Sequence, residues 1–375
     1  MMTEESPLKE KMDRLKKYIA GYKRKSKDPV NLGFATDDSV NLSYGHISVP
    51  ITSLSRLLAK PGENDGGFPK GKYSMIAGPE KSSKTTLMLQ TIGHDHETDP
   101  NSIWAWIDAE NSLDLAYAIR LGVDPDRLFV IKDGVMEDVM QRIIELAKEN
   151  IIKGVVVDSV GALTPLGEVQ NSKGEKHELA HTGMLDLQRK LGQFFRMSSP
   201  WISKSNAACI MITHVYQDPG ANGMYVAKGG NAMKHWGHIR LMMRRAQDKS
   251  TEEEVTLPDG SIKKVMMGHD VIIKLDKTRQ NGNELQEVVI PYRIGVGLDA
   301  RASAITTAIN LGIIEKSGSW FSMNDEKIGQ GKKKVLQYFE DKKLYEKLLL
   351  SIVGHTQAQP KSKTTESNLE DNVKL

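Results

Sequence analysis

Residues 73–92 read YSMIAGPEKSSKTTLMLQTI, and this stretch decides the fold. An apolar run at 73–77 leads into a short loop of glycine, proline and serine, and a segment of helical character follows. A strand that passes through such a loop into a helix is the repeating unit of parallel α/β sheets. We therefore predict an α/β protein built around a mostly parallel central sheet.

Short apolar runs alternate with helical segments from residue 72 to about residue 298. Further strands are predicted at 103–107, 155–157, 207–213, 239–243, 271–275 and 287–292. Helices are predicted at 84–93, 112–121, 136–149 and 184–197. Several strands are apolar on both faces, which is typical of a parallel sheet covered on both sides. The turn sequence LPDG at 257–260 predicts a hairpin within 252–275 that extends the sheet in antiparallel fashion.

Changes in composition divide the chain into four predicted segments. Residues 1–45 form a short N-terminal helical arm, with a basic amphipathic helix at 8–27, and residues 46–300 form the core. Residues 301–353 form a small helical C-terminal unit, and residues 354–375 are a polar tail predicted to be disordered.

Composition excludes several classes of protein. The 375 residues contain no apolar run long enough to span a membrane, so no membrane partner is expected. The first residues lack the apolar segment of a secretory signal. Cys209 is the only cysteine, which excludes an internal disulfide and suits a reducing cytosol. The net charge of +3 is only a weak indicator of a nucleic-acid partner.

The loop GPEKSSKT at 78–85 nearly matches the phosphate-loop pattern G-x-x-x-x-G-K-[ST], with Ser83 in place of the second glycine. The relaxed pattern is weak alone, but a preceding strand and a following helix give it the setting in which backbone N–H groups bind phosphate. The alternative is a turn that only caps the helix. Lys84 is predicted to reach the β- and γ-phosphates, and the Thr85 hydroxyl to bind Mg²⁺. The predicted nucleotide-binding residues here are Gly78, Pro79, Glu80, Lys81, Ser82, Ser83, Lys84, Thr85 and Thr86.

Three polar residues follow predicted strands, where open α/β sheets bind their ligands. Asp158 ends the run at 155–157 and is predicted to hold Mg²⁺ together with Thr85. Glu110 is our candidate base for the attacking water, although an acid after a strand is common and Glu110 alone leaves both interpretations open. His214 is a candidate contact for the γ-phosphate; the alternative is a structural histidine.

The longer stretches around these residues resemble the RecA family. They are GPEKSSKTTLMLQ, IDAENSLDLAYAIRLGVDPDRL, VVVDSVGALTP, GGNAMKHWGHIRLMMRR and SGSWFSMNDEKIGQGKKK, in the family's order and spacing. The resemblance covers about residues 47–350. His214 and the segment DKTR at 276–279 resemble the phage UvsX-like recombinases more than bacterial RecA.

This resemblance implies an ATP-dependent DNA recombinase with a RecA-type phosphate-loop ATPase core. Such a protein forms helical filaments on single-stranded DNA, pairs it with homologous double-stranded DNA and exchanges strands in recombination and repair. It is a DNA-dependent ATPase that uses ATP and Mg²⁺. The implied partners are both forms of DNA, further copies of the chain, and single-strand-binding and loader proteins. The implied location is the cytoplasm of a bacterium or of a phage-infected cell.

The roles of individual residues are implied in the same way. Glu110 matches the catalytic glutamate, and His214 matches the sensor of the γ-phosphate. Asp114 and Tyr117 match the residues that hold adenine and stack on it. Asp158 matches the metal-binding aspartate.

Two further features are implied to act between neighbouring copies. Lys277 and Arg279 would reach the γ-phosphate of the next copy and act catalytically, as an arginine finger does. The alternative is an ordinary basic strand edge. The N-terminal helix is implied to dock on the neighbouring core.

Two loops, at about 166–181 and 215–229, are implied to face DNA. The candidate DNA-binding residues are Lys173, Lys176, Tyr216, Met224, Tyr225 and Lys228. Aromatic or methionine side chains stack on or wedge between bases, and lysines pair with phosphates. The alternative is a flexible surface loop without a ligand.

Two other functions remain open at this point. A hexameric helicase shares the core fold, but only about 45 residues precede the core here, and such helicases usually carry a distinct N-terminal domain. A recombination mediator or paralogue would bind ATP and hydrolyse little of it, and Ser83 together with the altered second loop keeps that alternative open.

Overall fold

The structure is a computed structural model that describes residues 7–25, 44–169, 184–217, 225–227, 230–256, 261–340 and 342–358. The helices are α1 (Pro7–Lys25), α2 (Thr52–Leu58), α3 (Lys84–Thr98), α4 (Leu115–Arg120), α5 (Met136–Glu149), α6 (Leu166–Val169), α7 (Met184–Ser205), α8 (Gly230–Trp236), α9 (Ala300–Asn310), α10 (Gly331–Tyr338) and α11 (Lys342–Ala358). The strands are β1 (His46–Ser48), β2 (Gly67–Pro69), β3 (Tyr73–Gly78), β4 (Trp104–Asp108), β5 (Leu128–Ile131), β6 (Gly154–Asp158), β7 (Ala208–Gln217), β8 (Tyr225–Ala227), β9 (Ile239–Thr256), β10 (Ile262–Thr278), β11 (Glu287–Arg293), β12 (Gly297–Leu298), β13 (Glu315–Ser317), β14 (Trp320–Met323) and β15 (Glu326–Gln330).

The chain divides into two compact units, Met1–Pro61 with Asp65–Ala300, and Gly62–Asn64 with Arg301–Leu375. In the part of the chain that the structure describes, no helix is long and apolar enough to cross a membrane. Helix α1 exposes most of its large apolar side chains, namely Met12, Leu15, Tyr18 and Tyr22.

The central sheet of the larger unit has the strand order β12-β11-β10-β9-β3-β7-β6-β4-β5, and β8 pairs with β7. The strands from β9 to β5 run parallel, whereas β9 to β12 are joined by antiparallel pairs. The predicted mostly parallel α/β sheet is therefore confirmed. The carboxyl ends of β3, β7, β6 and β4 lie at one edge of this sheet, where the predicted site residues follow the strands.

Alternation along the central strands directs side chains into two separate cores. In β4, Trp104 and Trp106 lie in one core, and Ala105 and Ile107 lie in the other. Every residue of β3, β4 and β6 is buried. Burial of an apolar side chain of this size stabilises the fold by about 1.5–3 kcal/mol. Because both faces of these strands are covered, apolar residues are favoured on both. This explains why these strands are continuous apolar runs in the sequence.

The antiparallel hairpin expected within 252–275 is longer than the sequence indicated. Strand β9 has 18 residues and β10 has 17, and they pair from Thr256 and Ile262 back to Ile239 and Thr278. The predicted turn at 257–260 lies outside the described residues. Three register shifts interrupt the pairing, which explains why a strict two-residue alternation is hard to follow there.

The prediction that residues 301–353 are helical is wrong in the middle of that segment. Strands β13, β14 and β15 form an antiparallel sheet between α9 and α10. Asn324 and Asp325 have φ of 51° and 64°, the left-handed values that a two-residue hairpin turn between β14 and β15 requires. Helix α11 continues to Ala358, beyond the predicted start of the tail, and residues 359–375 lie outside the described residues.

Several elements have bounds that differ from the prediction. Strand β5 and helix α2 were not predicted, because each is too short to show a clear period. Helix α4 begins at Leu115 rather than 112, since the Asp114 side chain caps it. Helix α7 continues to Ser205 through Pro200, well beyond the predicted end at 197.

Candidate functional site

The loop between β3 and α3, the predicted phosphate-binding loop, contains two non-glycine residues with positive φ, Lys81 and Ser83. Ser83, in the position of the second glycine, has φ 66° and ψ 25°. A side chain in this left-handed region costs about 1 kcal/mol, so the substitution is tolerated at the expense of some stability. Gly78 admits no side chain, since a Cβ there would lie 2.2 Å from the Met243 carbonyl oxygen.

The Lys84 ammonium lies inside this loop. Nζ donates to the carbonyls of Gly78 at 3.0 Å and Pro79 at 2.7 Å, and Lys84 is only 5% exposed. Burial lowers the pKa of Lys84, and the nearby carboxylates of Asp158 and Glu110 oppose that shift. The loop therefore holds one cation among backbone groups at a helix N-terminus, a setting that attracts phosphate.

Thr85 and Asp158, the two predicted Mg²⁺ ligands, are in direct contact. The Thr85 hydroxyl donates to Asp158 Oδ2 at 2.7 Å. Burial raises the pKa of Asp158, although this hydrogen bond opposes the shift. A hydroxyl and a carboxylate at the mouth of a phosphate loop fit Mg²⁺, which prefers hard oxygen ligands and completes its shell with phosphate and water.

Glu110, Ser159 and His214 form one hydrogen-bonded group at the carboxyl edge of the sheet. Ser159 Oγ and His214 Nε2 both bond to Glu110 Oε1, the latter at 2.9 Å. An ionised carboxylate can only accept, so Nε2 carries the proton of the imidazole. Partial burial alone would raise the pKa of Glu110, but these hydrogen bonds outweigh it and lower the pKa. Glu110 is thus held as a carboxylate.

The loop that carries Glu110 is fixed by Asp108, which the sequence reasoning missed. This carboxylate is 1% exposed and accepts the N–H groups of Ser112 at 2.9 Å and Leu113 at 3.3 Å. Asp108 also pairs with Asp158 in the parallel register of β4 and β6. The register places the two strand ends side by side and so brings Glu110 close to Asp158, one of the two predicted Mg²⁺ ligands.

Asp114 and Tyr117 lie beside the phosphate loop. Asp114 Oδ1 accepts the Tyr117 N–H at 3.0 Å, and the Tyr117 hydroxyl lies 3.1 Å from Thr86 Oγ1. A second missed residue, Tyr292 of β11, approaches the Tyr117 hydroxyl at 3.5 Å. Burial, followed by the contact with Tyr117, raises the pKa of Tyr292 to about 12. Nothing in the local sequence of β11 indicates this contact.

The structure does not bring Lys277 and Arg279 to the phosphate loop of their own chain. Strand β10 is antiparallel to β9, so the carboxyl end of β10 lies at the amino edge of the parallel strands. Lys277 of β10 pairs with Arg240 of β9, which in turn pairs with Met75 of β3. Gly78 is three residues further along β3, about 10 Å away. Lys277 Nζ donates to the Lys234 carbonyl at 2.7 Å, and Arg279 donates to the His235 carbonyl of α8 at 2.7 Å.

The candidate DNA-binding residues are only partly covered by the structure. Lys173, Lys176, Met224 and Lys228 lie outside the described residues. Tyr216 is 39% exposed and lies in β7, two residues beyond His214. Tyr225 begins β8 and pairs with Gln217, so the second loop has a hairpin at its base. The strand that carries His214 therefore leads directly into this loop.

Comparisons with known proteins agree with this geometry. The family model of the RecA N-terminal domain matches residues 45–275, and that of the RecA C-terminal domain matches residues 302–353. Protein RecA of Staphylococcus aureus is 34% identical over 313 residues, 79% of this chain and 84% of that protein. Protein RecA of Brucella anthropi is 32% identical over 297 residues, 78% and 76% of the two chains. The chain therefore belongs to the RecA family.

Proposed function

We propose that this RecA-family recombinase polymerises on single-stranded DNA, hydrolyses ATP in the filament, and promotes homologous pairing and strand exchange. The observation that carries this proposal is the hydrogen bond from His214 to Glu110. It joins the candidate water-activating carboxylate to the strand that leads into the second DNA loop. A nucleotide at the carboxyl edge would thereby influence the segment that contacts DNA.

The chemical step is ATP hydrolysis, and the chain contributes position and charge. Residues 78–86 bind the phosphates, and Lys84 neutralises the β- and γ-oxygens. Thr85 and Asp158 would hold Mg²⁺, which supplies charge stabilisation at the phosphates when bound. Glu110 accepts a proton from the attacking water, and Ser159 and His214 orient its carboxylate. Asp114 and Tyr117 hold the adenine.

His214 connects this chemistry to DNA binding. A γ-phosphate at the end of β7 offers the imidazole N–H a second acceptor, in competition with Glu110. A shift of His214 between these acceptors would move the start of the second loop, where Tyr216 lies two residues further along β7. We assign base contacts to Tyr216, Met224 and Tyr225. The phosphate contacts are assigned to Lys173, Lys176 and Lys228.

Lys277 and Arg279 complete the site from a neighbouring copy. Because they lie at the opposite edge of the sheet from their own phosphate loop, they suit a contact in which the amino edge of one copy meets the carboxyl edge of the next. Such a head-to-tail contact is heterologous and generates helical filaments when the rotation does not close. The exposed apolar side chains of α1 support a second contact, docking of the arm on the neighbouring core.

The test is ATP turnover and electron microscopy with and without single-stranded DNA. We expect long helical filaments on DNA with ATP and an ATPase rate that DNA raises at least about tenfold. Closed rings with duplex unwinding would favour the helicase, and nucleotide binding without filaments or turnover would favour the mediator. Lys277→Ala should bind nucleotide normally and lose about a hundredfold or more in turnover, since a cation on the equatorial oxygens is of this importance.

A further inference from the structure

The Ser159 hydroxyl contacts Glu110 from a segment of chain that is itself held at its far end. This segment, residues 159–166, leads from the nucleotide site to the start of α6, and we call it the 159–166 segment. At its beginning, Ser159 Oγ donates to Glu110 Oε1. At its end, the Leu166 N–H donates to Glu137 Oε2 of α5 at 2.7 Å. Glu110 and Glu137 therefore contact the two ends of the same segment.

Backbone hydrogen bonds hold the 159–166 segment against the start of α5. The Met136 N–H donates to the Thr164 carbonyl at 2.9 Å, and the Thr164 N–H donates to the Gly134 carbonyl at 2.8 Å. These two bonds form a parallel bridge between Val135 and Thr164. The end of the segment is thus paired with the residues that lead into α5.

The Glu137 carboxylate joins this segment to two helices. Glu137 Oε1 lies 3.0 Å from the Lys190 ammonium of α7, while Oε2 accepts the Leu166 N–H. Glu137 also lies in the first turn of α5, where unpaired backbone N–H groups favour a negative charge. Both oxygens therefore have a partner, which holds the carboxylate in one orientation.

Helix α5 provides a rigid support for Glu137. Apolar side chains of α5, α7 and the 159–166 segment lie in one core, namely Met136, Val139, Met140, Ile143, Leu191, Phe194, Phe195, Val160 and Leu163. Such a core is packed as closely as an organic crystal and leaves little room for movement. The core holds the middle of the segment, and the hydrogen bond to Glu137 fixes its end.

The two partners of the Glu110 carboxylate differ in what nucleotide does to them. Ser159 and His214 both bond to Oε1, but in the proposed function His214 exchanges this contact for the γ-phosphate. The Ser159 hydroxyl then remains as the partner that holds Oε1. A general base must lie within hydrogen-bond reach of the proton that it accepts. The position of Ser159 therefore decides where the carboxylate lies during hydrolysis.

We propose that Glu137 is a positioning residue for ATP hydrolysis. Through the 159–166 segment it holds Ser159, and through Ser159 it keeps the Glu110 carboxylate aligned with the attacking water. This inference rests on the proposed function, from which it takes the role of Glu110. A catalytic group that is misplaced by about 1 Å can cost about a hundredfold in rate, so even a small displacement of Ser159 is measurable.

The test measures ATP turnover on single-stranded DNA by Glu137→Ala and Ser159→Ala. We expect kcat to fall about threefold or more in Glu137→Ala and about tenfold or more in Ser159→Ala. The KM for ATP should stay near normal in both, because the phosphate loop is unchanged. Glu137→Gln should keep most of the rate, since its amide oxygen can still accept the Leu166 N–H. Glu149→Ala removes an exposed carboxylate from the last residue of α5 and is the control. A normal kcat in Glu137→Ala would overturn the proposal.

A double variant shows whether Glu137 acts through Ser159. If it does, the two effects overlap, and Glu137→Ala combined with Ser159→Ala should have the kcat of Ser159→Ala alone. Losses that multiply in the double variant would mean that Glu137 acts by another route, and the proposal would fail. Hydrogen exchange tests the link between them: the Leu166 amide should exchange faster in Glu137→Ala and at the normal rate in Glu149→Ala.

These outcomes also separate the inference from the proposed function. If Glu137→Ala and Ser159→Ala both keep a normal kcat while Glu110→Gln loses turnover, the inference is overturned and the proposed function stands. If the unchanged chain hydrolyses no ATP on DNA, the proposed function itself fails. Should Ser159→Ala not fold, Ser159→Cys replaces it in both tests, because a thiol fills similar space and is only a weak donor.

Discussion

The two edges of the central sheet differ in how their charged groups are satisfied. At the carboxyl edge, the side chains of Glu110, Ser159 and His214 bond to one another, and Thr85 bonds to Asp158. At the amino edge below β3 and β9, the cations bond to backbone carbonyls and lie over an aromatic ring. The first edge therefore joins acidic and hydroxyl side chains to one another, whereas at the second edge Lys277 and Arg279 are held by backbone carbonyls.

The amino edge is itself divided, and in its other half the cation is paired with carboxylates. Below β4 and β6, the Lys153 ammonium bridges Asp95 at 2.6 Å and Asp99 at 2.8 Å, and Asp95 accepts the Trp104 indole N–H at 2.8 Å. Buried charges are normally paired in this way. Below β3 and β9, Lys277 and Arg279 instead donate to backbone carbonyls of α8. The half below β4 and β6 therefore stabilises the fold, and the half below β3 and β9 carries the two cations that we propose meet a neighbouring copy.

The largest expected effect is at the carboxyl edge. Glu110→Gln keeps the hydrogen-bonding shape but cannot accept a proton from water, so turnover should fall by about a hundredfold or more. Nucleotide affinity and filament formation should stay near normal, because Lys84, Thr85 and Asp158 are unchanged. Single-turnover hydrolysis and nucleotide titration measure the two properties separately.

The control for this variant is Lys84→Ala, which should lose nucleotide binding and turnover together. If Glu110→Gln hydrolyses ATP at the normal rate, the water-activating role belongs to another group. In that case the hydrogen bonds from Ser159 and His214 to Glu110 are only structural. The two edges of the sheet would then not differ in the way that a reaction site differs from its surroundings.

Much of the carboxyl edge is predictable from the sequence, because each part is local. The loop follows β3 directly, Asp158 ends an apolar run, and Glu110 follows another. Because parallel strands end at the same edge of a sheet, residues far apart in the chain can be predicted to meet there before any contact is known. The order of the strands and the hydrogen bond between Glu110 and His214 required the structure.

The contact between Tyr44 and His238 was not predictable by the same reasoning. Tyr44 and His238 are 194 residues apart and meet only because β9 lies beside β3. Lys72 precedes β3 and His238 precedes β9, and neither residue carries a local signal of the surface that they share. The contact between Tyr117 and Tyr292 is similar, since it spans 175 residues and depends on the fold of β11.

The half of the amino edge below β4 and β6 should affect stability and leave turnover unchanged. A Cβ at Gly154 would lie 2.3 Å from the Trp104 ring, which is fully buried. Gly154→Ala should therefore lower the free energy of unfolding by about 1–3 kcal/mol, as overpacking a rigid core does. Gly282→Ala, with no atom within 4 Å of its Cβ, is the matched control. Thermal unfolding measures the difference. An unchanged melting temperature for Gly154→Ala would contradict the structural role of this half of the amino edge.

A smaller effect is expected beside the carboxyl edge. Tyr292→Phe removes the hydroxyl that approaches Tyr117 at 3.5 Å. A partly buried hydrogen bond of this length is weak, so the Michaelis constant for ATP should rise only about two- to threefold, with kcat unchanged. Tyr338→Phe removes a hydroxyl from the smaller unit and should change neither value. A large loss of kcat in Tyr292→Phe would show that the reaction site extends to β11 beyond what the hydrogen bonds indicate.

The smallest effect concerns pH at the cationic half of the amino edge. In the folded chain the pKa of His238 is about 4, against 6.5 for an ordinary histidine, because of burial and then of Lys72, Arg279 and Lys277. The unfolded chain thus binds a proton first as the pH falls, so this contribution to stability is complete above about pH 6.5 and is lost towards about pH 4.

The variant His238→Gln retains an acceptor for the Tyr44 hydroxyl and removes this titration. Its melting temperature should therefore fall less steeply than that of the unchanged chain between pH 6.5 and pH 5. Identical slopes would mean that burial and the surrounding cations do not lower the pKa of His238 in the folded chain. In filaments with bound nucleotide, the phosphates of the next copy should offset the positive field and bring the two slopes closer together. That convergence would tie the pH response to the contact with the next copy that Lys277 and Arg279 are proposed to make.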